Sequence, residues 1–207
     1  MQATLTWPGM TKTRLEAFSD GVVAILITIM VLELRSPAGA DVDSLVAVLP
    51  SFGMYLLSFV FLGIYWSNHH HLLHATSGIS GAVLWANLHL LFWLSLVPFG
   101  TRWIVESGLA TLPTAVYGGF LLMSAIAFWI LVRVILACQP PQSLLATALG
   151  RDFKGNASVV LYAIAVPLAW LNTWIAVAIY AFVALIWLVP DRRIERRLSA
   201  TPHARVS

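Results

Sequence analysis

Residues 14–34 read RLEAFSDGVVAILITIMVLEL. Three of the first seven residues are charged, and an almost unbroken apolar run follows them. An α-helix needs roughly 20 apolar residues to cross the hydrocarbon core of a bilayer, so this segment is long enough to span a membrane. Its charged beginning differs from the short, uniform apolar core of a cleavable signal peptide. We therefore expect a first transmembrane helix that is retained in the mature protein.

Composition extends this conclusion to the whole chain. Of the 207 residues, 59% are hydrophobic and 10% are charged, and the mean hydropathy is +0.85. Soluble globular domains are roughly 45–50% apolar and about 25% charged, so a soluble fold of this size is excluded. The single cysteine, Cys138, rules out an intrachain disulfide and a multi-cysteine metal site.

Breaks in the apolar pattern divide the chain into further spans. Arg35-Ser36-Pro37 ends the first stretch, and Gln139-Pro140-Pro141 ends the fourth, because proline cannot continue a helix. The predicted fold is all-α, one transmembrane domain over residues 1–207 with six helices at about 15–34, 45–68, 81–104, 115–137, 157–171 and 173–190.

Lysine and arginine are distributed unequally between the two sides of this six-span map. Positively charged loops stay in the cytoplasm, and an even number of spans places most of the basic residues on one side together with both termini. These residues are Lys12, Arg14, Arg151, Lys154, Arg192, Arg193, Arg196, Arg197 and Arg205. We expect cytoplasmic termini and contact with anionic lipid headgroups, and no nucleic-acid partner.

The start of the first helix carries charges that a membrane segment must pair or expose to water. Glu16 and Asp20 in the first turns suit the positive end of a helix dipole, so capping at the inner interface is one interpretation. Bracing of neighbouring helices by Arg14, Phe18, Ser19 and Asp20 is the other.

The motif Arg14-x-x-x-Phe18-Ser19-Asp20 is accompanied by three more short motifs along the chain. They are Trp66-x-x-His69-His70, Asn87-Leu88 and Pro98-Phe99. Together these residues resemble the signature of the endosomal and lysosomal potassium-channel family and its prokaryotic relatives. The resemblance implies a homotetramer in a bacterial plasma membrane, a pore lined by the first helix, and conduction of potassium and other monovalent cations.

Ile25, Ile29 and Leu32 are spaced by four and three residues, which places them on one stripe of the first helix. Periodicity alone favours ordinary helix packing. The resemblance instead implies that these residues form a hydrophobic pore constriction. Thr28 lies beside the stripe, where its hydroxyl is expected either to contact a partly dehydrated ion or to bond back to its own helix.

Two further features bear on selectivity. The chain contains no Thr-Val-Gly-Tyr-Gly segment, so the carbonyl filter of ordinary potassium channels is absent. The expected outer loops carry more carboxylates than arginines, which predicts a mouth that concentrates cations. This predicted acidic mouth consists of Glu33, Asp41, Asp43 and Glu106.

The histidines after the second span admit two interpretations. His70 and His74 have the i, i+4 spacing of zinc ligands on a helix, but the chain has no second histidine cluster to complete a metal site or a di-iron enzyme. We expect no metal, no cofactor and no enzymatic activity. His69 and His70 are instead predicted to join Asn87 in the inner network around Asp20.

The function predicted from these observations is a potassium-permeable cation channel. A proton- or cation-coupled secondary transporter, with Asp20 and the histidines as a relay, is the main alternative. No inverted repeat or broken midplane helix is evident in the sequence to favour it.

Overall fold

A computed structural model of the chain describes residues 11–76, 78–138 and 153–188, and these residues form helices and short connections without any strand. We number the helices α1 (Lys12–Leu32), α2 (Val42–His74), α3 (Gly81–Ser95), α4 (Val97–Glu106), α5 (Thr111–Ala137), α6 (Phe153–Leu168) and α7 (Thr173–Leu188). The expected all-helical fold is confirmed for this part of the chain.

Side-chain caps define where three of the helices begin. Thr11 accepts a hydrogen bond from the backbone N–H of Arg14 at 3.3 Å, and Asp41 accepts one from Ser44 at 2.7 Å. Ser80 caps α3 in the same way. Each cap accepts a hydrogen bond from a backbone N–H in the first turn of its helix.

The third predicted span is not one uninterrupted helix. Pro98 has no backbone N–H to donate to the preceding turn, so α3 ends at Ser95 and α4 begins at Val97, with Leu96 between them. The span predicted at about 81–104 corresponds to the apolar segment Gly81–Glu106, which consists of two helices. The second span also extends farther than predicted, because α2 continues through the histidines to His74.

Four segments are long and apolar enough to cross a membrane, namely Lys12–Leu32, Val42–His74, Gly81–Glu106 and Thr111–Ala137. The two C-terminal helices, α6 and α7, are apolar but have only 16 residues each. These lengths and compositions indicate a multi-pass membrane protein.

Helix α5 occupies the centre of the bundle and packs against α3, α4, α6 and α7, whereas α1 packs against α2, α3 and α4. A buried hydroxyl cluster ties three helices together, because the hydroxyl oxygen of Ser58 lies 2.7 Å from that of Thr101 and 2.9 Å from that of Tyr117. Gly118 lies against the ring of Tyr180, where no side chain would fit. This packing holds α1 at one edge of the bundle.

Candidate permeation site on the first helix

Helix α1 has one face against the bundle and one face uncovered. Its buried residues recur every three or four positions, and they are Leu15, Ser19, Val23, Leu26 and Met30. The opposite face exposes Phe18 (53%), Ile25 (57%), Ile29 (41%) and Leu32 (80%). Ile25, Ile29 and Leu32 thus lie on a single apolar stripe, which we call the α1 stripe.

Thr28 lies beside the α1 stripe, and its side chain is exposed. Its hydroxyl is 3.0 Å from the carbonyl oxygen of Ala24 and 2.9 Å from that of Ile25, so it donates its hydrogen to the backbone of its own helix. A hydroxyl oxygen that donates in this way still has lone pairs. Bonding back to the helix and contact with a cation are therefore compatible for this residue.

A chain of buried hydrogen bonds fixes the N-terminal half of α1 to two other helices. The amide nitrogen of Asn87 on α3 donates to the hydroxyl of Ser19 at 2.9 Å, and Ser19 donates to the carbonyl of Leu15. The amide oxygen of Asn87 lies 2.6 Å from Nε2 of His69 on α2. Because an amide oxygen only accepts, His69 must carry its proton on Nε2.

Asp20 has a partner that the sequence did not indicate. The indole N–H of Trp66 donates to its carboxylate at 2.9 Å. Trp66 is close to a predicted helix end, and tryptophan is generally enriched at such positions as an interfacial anchor. The available signal was its place in the Trp66-x-x-His69-His70 motif, which puts it one helical turn before His69.

The predicted inner network is therefore only partly assembled in the described structure. Ser19, Asn87 and His69 come together, but His70 is exposed and instead stacks its ring on Trp66 and His74. The His70 and His74 rings are nearly parallel, with centroids 6.0 Å apart. Within the described residues, no group of three or more histidine, cysteine or acidic side chains is arranged to hold a metal ion.

Arg14 and Phe18 lie on the exposed side of α1 rather than among the buried bonds. A neighbouring residue, Lys12, makes a link that the sequence did not suggest. Its ammonium donates to the carbonyl of His74 at 2.6 Å and lies 4.0 Å from Glu16. Because His74 is the last residue of α2, this bond joins the start of α1 to the end of α2.

At the opposite end of the bundle, two of the predicted outer carboxylates are paired with arginines. Arg102 lies 2.9 Å from Glu33 and 3.1 Å from Glu106, and Arg35 lies 2.7 Å from Glu106. The charges of these four side chains cancel, so Glu33 and Glu106 contribute little net negative charge to this end of the bundle.

Asp41 and Asp43 remain outside this ion-pair cluster. The backbone N–H and the hydroxyl of Ser44 donate to Asp41 and hold the pKa of its carboxyl below the ordinary value. Asp43 lies exposed in the first turn of α2. The structure thus does not gather the four predicted carboxylates into one acidic cluster.

Comparison with known proteins decides the family of this chain. A potassium channel of Chryseobacterium sp. (strain P1-3) is 52% identical over 189 residues, which cover 91% of this chain and 98% of the relative. The family described as "Endosomal/lysosomal potassium channel TMEM175" matches residues 14–98. The chain belongs to the TMEM175 family. The resemblance inferred from the sequence is confirmed.

Solved TMEM175 structures share this architecture. The crystal structure of a lysosomal potassium-selective channel TMEM175 homolog from Chamaesiphon minutus superposes with a TM-score of 0.76 at 28% identity, covering 88% of this chain and 97% of that chain. A variant of the potassium channel MtTMEM175 matches with a TM-score of 0.55 at 16% identity, which supports the fold alone.

Membership of the TMEM175 family has a direct consequence for the class of activity. The family and its relatives are named as ion channels, so this chain belongs to a family of channels and is not an enzyme.

Proposed function

We propose that this TMEM175 chain forms a homotetrameric, potassium-permeable cation channel in which the first helix of each subunit lines the pore. The uncovered apolar face of α1 is the observation that carries the proposal. Ile25, Ile29 and Leu32 are exposed, whereas α1 is anchored in the bundle through the buried residues on its opposite face. A second copy of the chain, or lipid, must cover such a face in a membrane.

The interhelical hydrogen bonds of α1 favour an axial position over a purely lipid-facing one. Ser19 is held by Asn87 on α3, and Asp20 is held by Trp66 on α2. A helix fixed in this way presents the same stripe in every subunit, which is what a symmetric pore requires. The names of the bacterial relatives as potassium channels agree with this function.

The α1 stripe would act as a gate by excluding water. Four copies of an isoleucine or leucine side chain at one level close a pore when water withdraws from the apolar ring, and a wider ring readmits water. Thr28 lies beside the stripe, so its oxygen would be the polar group available to an ion there. Because the chain has no carbonyl filter, selectivity would depend on pore width and on this hydroxyl. Potassium is the permeant ion, and no cofactor takes part.

The proposed orientation places Lys12 and the C-terminal end in the cytoplasm of a bacterial cell and the ion-pair cluster of Glu33 and Arg102 outside. It rests on the uneven distribution of basic residues. Fusion reporters placed after Gly39 and after Ser207 are expected to report opposite sides of the plasma membrane. Reporters on the same side would contradict this orientation.

The gate is tested by polar substitution at two stripe positions and one matched position off the stripe. Ile25→Asn and Ile29→Asn put amide groups where the pore ring is proposed, so current should rise and potassium-over-sodium selectivity should fall. Ile27 is partly buried against the core, so Ile27→Asn is expected to reduce the amount of folded protein without increasing the current. The measurement is bilayer current under bi-ionic potassium and sodium, normalised to the amount of assembled protein.

The results separate a gate from its alternatives. Equal loss of current in all three variants would argue against a hydrophobic gate on α1. Cross-linking of the purified protein that traps species no larger than a dimer would contradict the homotetramer. Potassium current that disappears when a coupled ion gradient is removed would indicate a secondary transporter.

A further inference from the structure

Two uncovered helix edges flank α1 and lie on different sides of it. Helix α1 packs against α2 and α3; from there α2 packs against α7, whereas α3 packs against α5. One uncovered edge belongs to α2, and we define this α2 edge by Phe59, Gly63, Trp66 and His70. The other belongs to α3 and α4, and we define this α3–α4 edge by Trp85, Phe92, Ser95 and Phe99.

The chemistry of these edges differs from that of the uncovered face of α7. The exposed residues of α7 are all apolar, and they are Trp174, Ile175, Ala178, Phe182, Leu185 and Leu188. The α2 edge instead carries the imidazole of His70 and the small residue Gly63, and the α3–α4 edge carries the hydroxyl of Ser95. Small and polar residues within membrane spans are typical of helix–helix contacts, because lipid tails offer no hydrogen bonds. Protein therefore suits the two edges better than lipid does.

Trp85 is the most exposed aromatic side chain of the α3–α4 edge, at 70%. In the described part of the chain its indole N–H has no acceptor, whereas that of Trp93 on the same helix donates to Nε2 of His89 at 2.9 Å. A tryptophan N–H that is removed from water needs such an acceptor. Neutral imidazole rings provide one, and the α2 edge presents the nearly parallel rings of His70 and His74.

Two contacts between helices fix the relative heights of the edges. The hydroxyls of Ser58 on α2 and Thr101 on α4 lie 2.7 Å apart, and Nε2 of His69 on α2 lies 2.6 Å from the amide oxygen of Asn87 on α3. The segment of α2 between its two contact residues is therefore level with the segment of α3 and α4 between theirs.

The two edges match each other at these heights. Gly63 and Ser95 each lie about midway between the two contacts, so a small residue of one edge is level with a small residue of the other. No neighbouring atom lies within 4 Å of a Cβ placed at Gly63, which leaves room for another helix. Trp85 precedes Asn87 by two residues, which brings it level with the histidine rings that follow His69 on α2.

Symmetry explains how two edges of one chain can meet. A four-fold axis parallel to the helices turns one copy onto the next without changing height. A closed ring of this kind joins one side of each copy to the other side of its neighbour, which is a heterologous contact. When α1 lies next to the axis, the sides that meet are those on either side of α1.

We propose that the α2 edge of one copy packs against the α3–α4 edge of the next copy. In this contact Gly63 lies opposite Ser95, where small residues let two helix backbones approach closely, and Trp85 is seated on the rings of His70 and His74. Tryptophan is enriched among the residues that dominate interface energies. This contact rests on the proposed homotetramer with α1 at its axis, but not on the α1 stripe acting as a gate.

Disulfide formation between copies tests the pairing of heights. Gly63→Cys and Ser95→Cys are combined in a chain whose single cysteine, Cys138, is replaced by serine, and the membranes are oxidised with copper phenanthroline. Because every copy offers both partners, a ladder of cross-linked dimer, trimer and tetramer is expected. Gly53→Cys with Ser95→Cys is the matched control. Gly53 is also exposed and uncrowded, but it lies ten residues from Gly63, about 15 Å along α2, beyond the reach of roughly 7 Å between Cα atoms that a disulfide allows.

Coexpression of the two single-cysteine chains separates a contact between copies from one within a copy. A chain with Gly63→Cys and a chain with Ser95→Cys should give a cross-linked dimer when they are made together. Each chain alone should give none, because a heterologous contact does not bring two copies of the same residue together. A cross-linked dimer from Gly63→Cys alone would show a two-fold contact and overturn the proposal.

The role of Trp85 is measured by dissociation of the assembled protein. Trp85→Ala should raise the dissociation constant of the tetramer in detergent by at least about 30-fold, as expected for a residue that anchors an interface. Trp174→Ala is the control, because Trp174 is 64% exposed on the apolar face of α7, and it should leave the constant unchanged. Native mass spectrometry at decreasing protein concentration provides the measurement, and equal dissociation of Trp85→Ala and the unchanged protein would contradict the anchor.

The same mass measurements distinguish failure of this contact from failure of the proposed tetramer. A tetramer whose Gly63 and Ser95 pair cross-links no better than the Gly53 control would overturn the contact and leave the tetramer standing. A protein whose largest native species is a monomer or a dimer would overturn both.

Discussion

Replacement of Asn87 by leucine should destabilise the bundle, because it removes two interhelical hydrogen bonds while keeping a side chain of similar size. The amide nitrogen of Asn87 donates to Ser19 on α1 at 2.9 Å, and its oxygen accepts from His69 on α2 at 2.6 Å. All three side chains are buried. The substitution therefore leaves the N–H of His69 without its acceptor.

The size of the effect follows from the number of bonds lost. Hydrogen bonds between transmembrane helices contribute on average about 0.6 kcal/mol and at most about 1.7 kcal/mol each. Two bonds correspond to roughly 1–3 kcal/mol of unfolding free energy. Ser19→Ala should cost less, because the Ser19 hydroxyl takes part in only one of these two bonds and its own donation goes to Leu15 within the same helix.

Unfolding of the purified protein in mixed micelles of increasing sodium dodecyl sulfate content would measure these differences. The comparison includes Asn87→Leu, Ser19→Ala and the double variant. The losses of unfolding free energy in the two single variants should sum to more than the loss in the double variant, because each single substitution already removes the bond between Asn87 and Ser19. Ser95→Ala is the control, since this exposed hydroxyl bonds only to its own helix through Phe92.

Two outcomes would refute this reasoning. If Asn87→Leu were as stable as the unchanged protein, the buried bonds would make no net contribution to holding α1. If the Ser19 and Asn87 effects were strictly additive, the two residues would not interact in the folded protein.

Three further predictions concern other parts of the chain. Gly118→Ala should destabilise the bundle by about 1–3 kcal/mol, because the added methyl carbon would overlap the Tyr180 phenol, and thermal unfolding of the two proteins tests this. Asp20→Asn should reduce assembly or open probability more than it changes the potassium-to-sodium permeability ratio; a collapsed ratio with normal assembly and opening would place this residue in the ion path. The folded-state pKa of Asp41 is lowered, so its stabilising contribution is present above the unfolded value of 3.8 and is lost as pH falls below it. Hydrogen exchange at the Ser44 amide, corrected for its intrinsic rate, should therefore become faster in acid, and an unchanged protection factor would contradict this.

The sequence predicted a helix well where its apolar run is long and a proline marks its end. Long apolar runs ended by Pro37 or by Pro140 and Pro141 predict helices of about the right length, because the bilayer imposes a minimum span and proline prevents continuation. The junction at Leu96 was missed although Pro98 was visible. Hydropathy does not reveal it, because a proline-induced break leaves the apolar composition of the 26-residue segment intact.

In the candidate site, too, the sequence predicted some features and not others. The motif Arg14-x-x-x-Phe18-Ser19-Asp20, together with three other short motifs, indicated the family that the comparisons confirm. It also predicted that Phe18 and Ser19 share one inner network, whereas in the structure Ser19 is buried and Phe18 is exposed. The spacing did not identify the partners of these residues. Trp66 is 46 positions from Asp20 along the chain, and only the packing of α2 beside α1 brings its indole to the carboxylate.

The sequence by itself therefore determined that the protein lies in a membrane, that it is helical and that α1 carries an apolar stripe, because each of these depends on composition or on helical periodicity. Its family was indicated by a resemblance of short motifs. Only the tertiary structure decided which polar groups are paired. It placed Asn87 between Ser19 and His69 and left the α1 stripe uncovered. It also paired the carboxylates of Glu33 and Glu106 with arginine side chains, which neutralise their charges. The physical reason is that a hydrogen bond or ion pair acts over about 3 Å, and sequence spacing fixes such distances only within one helix.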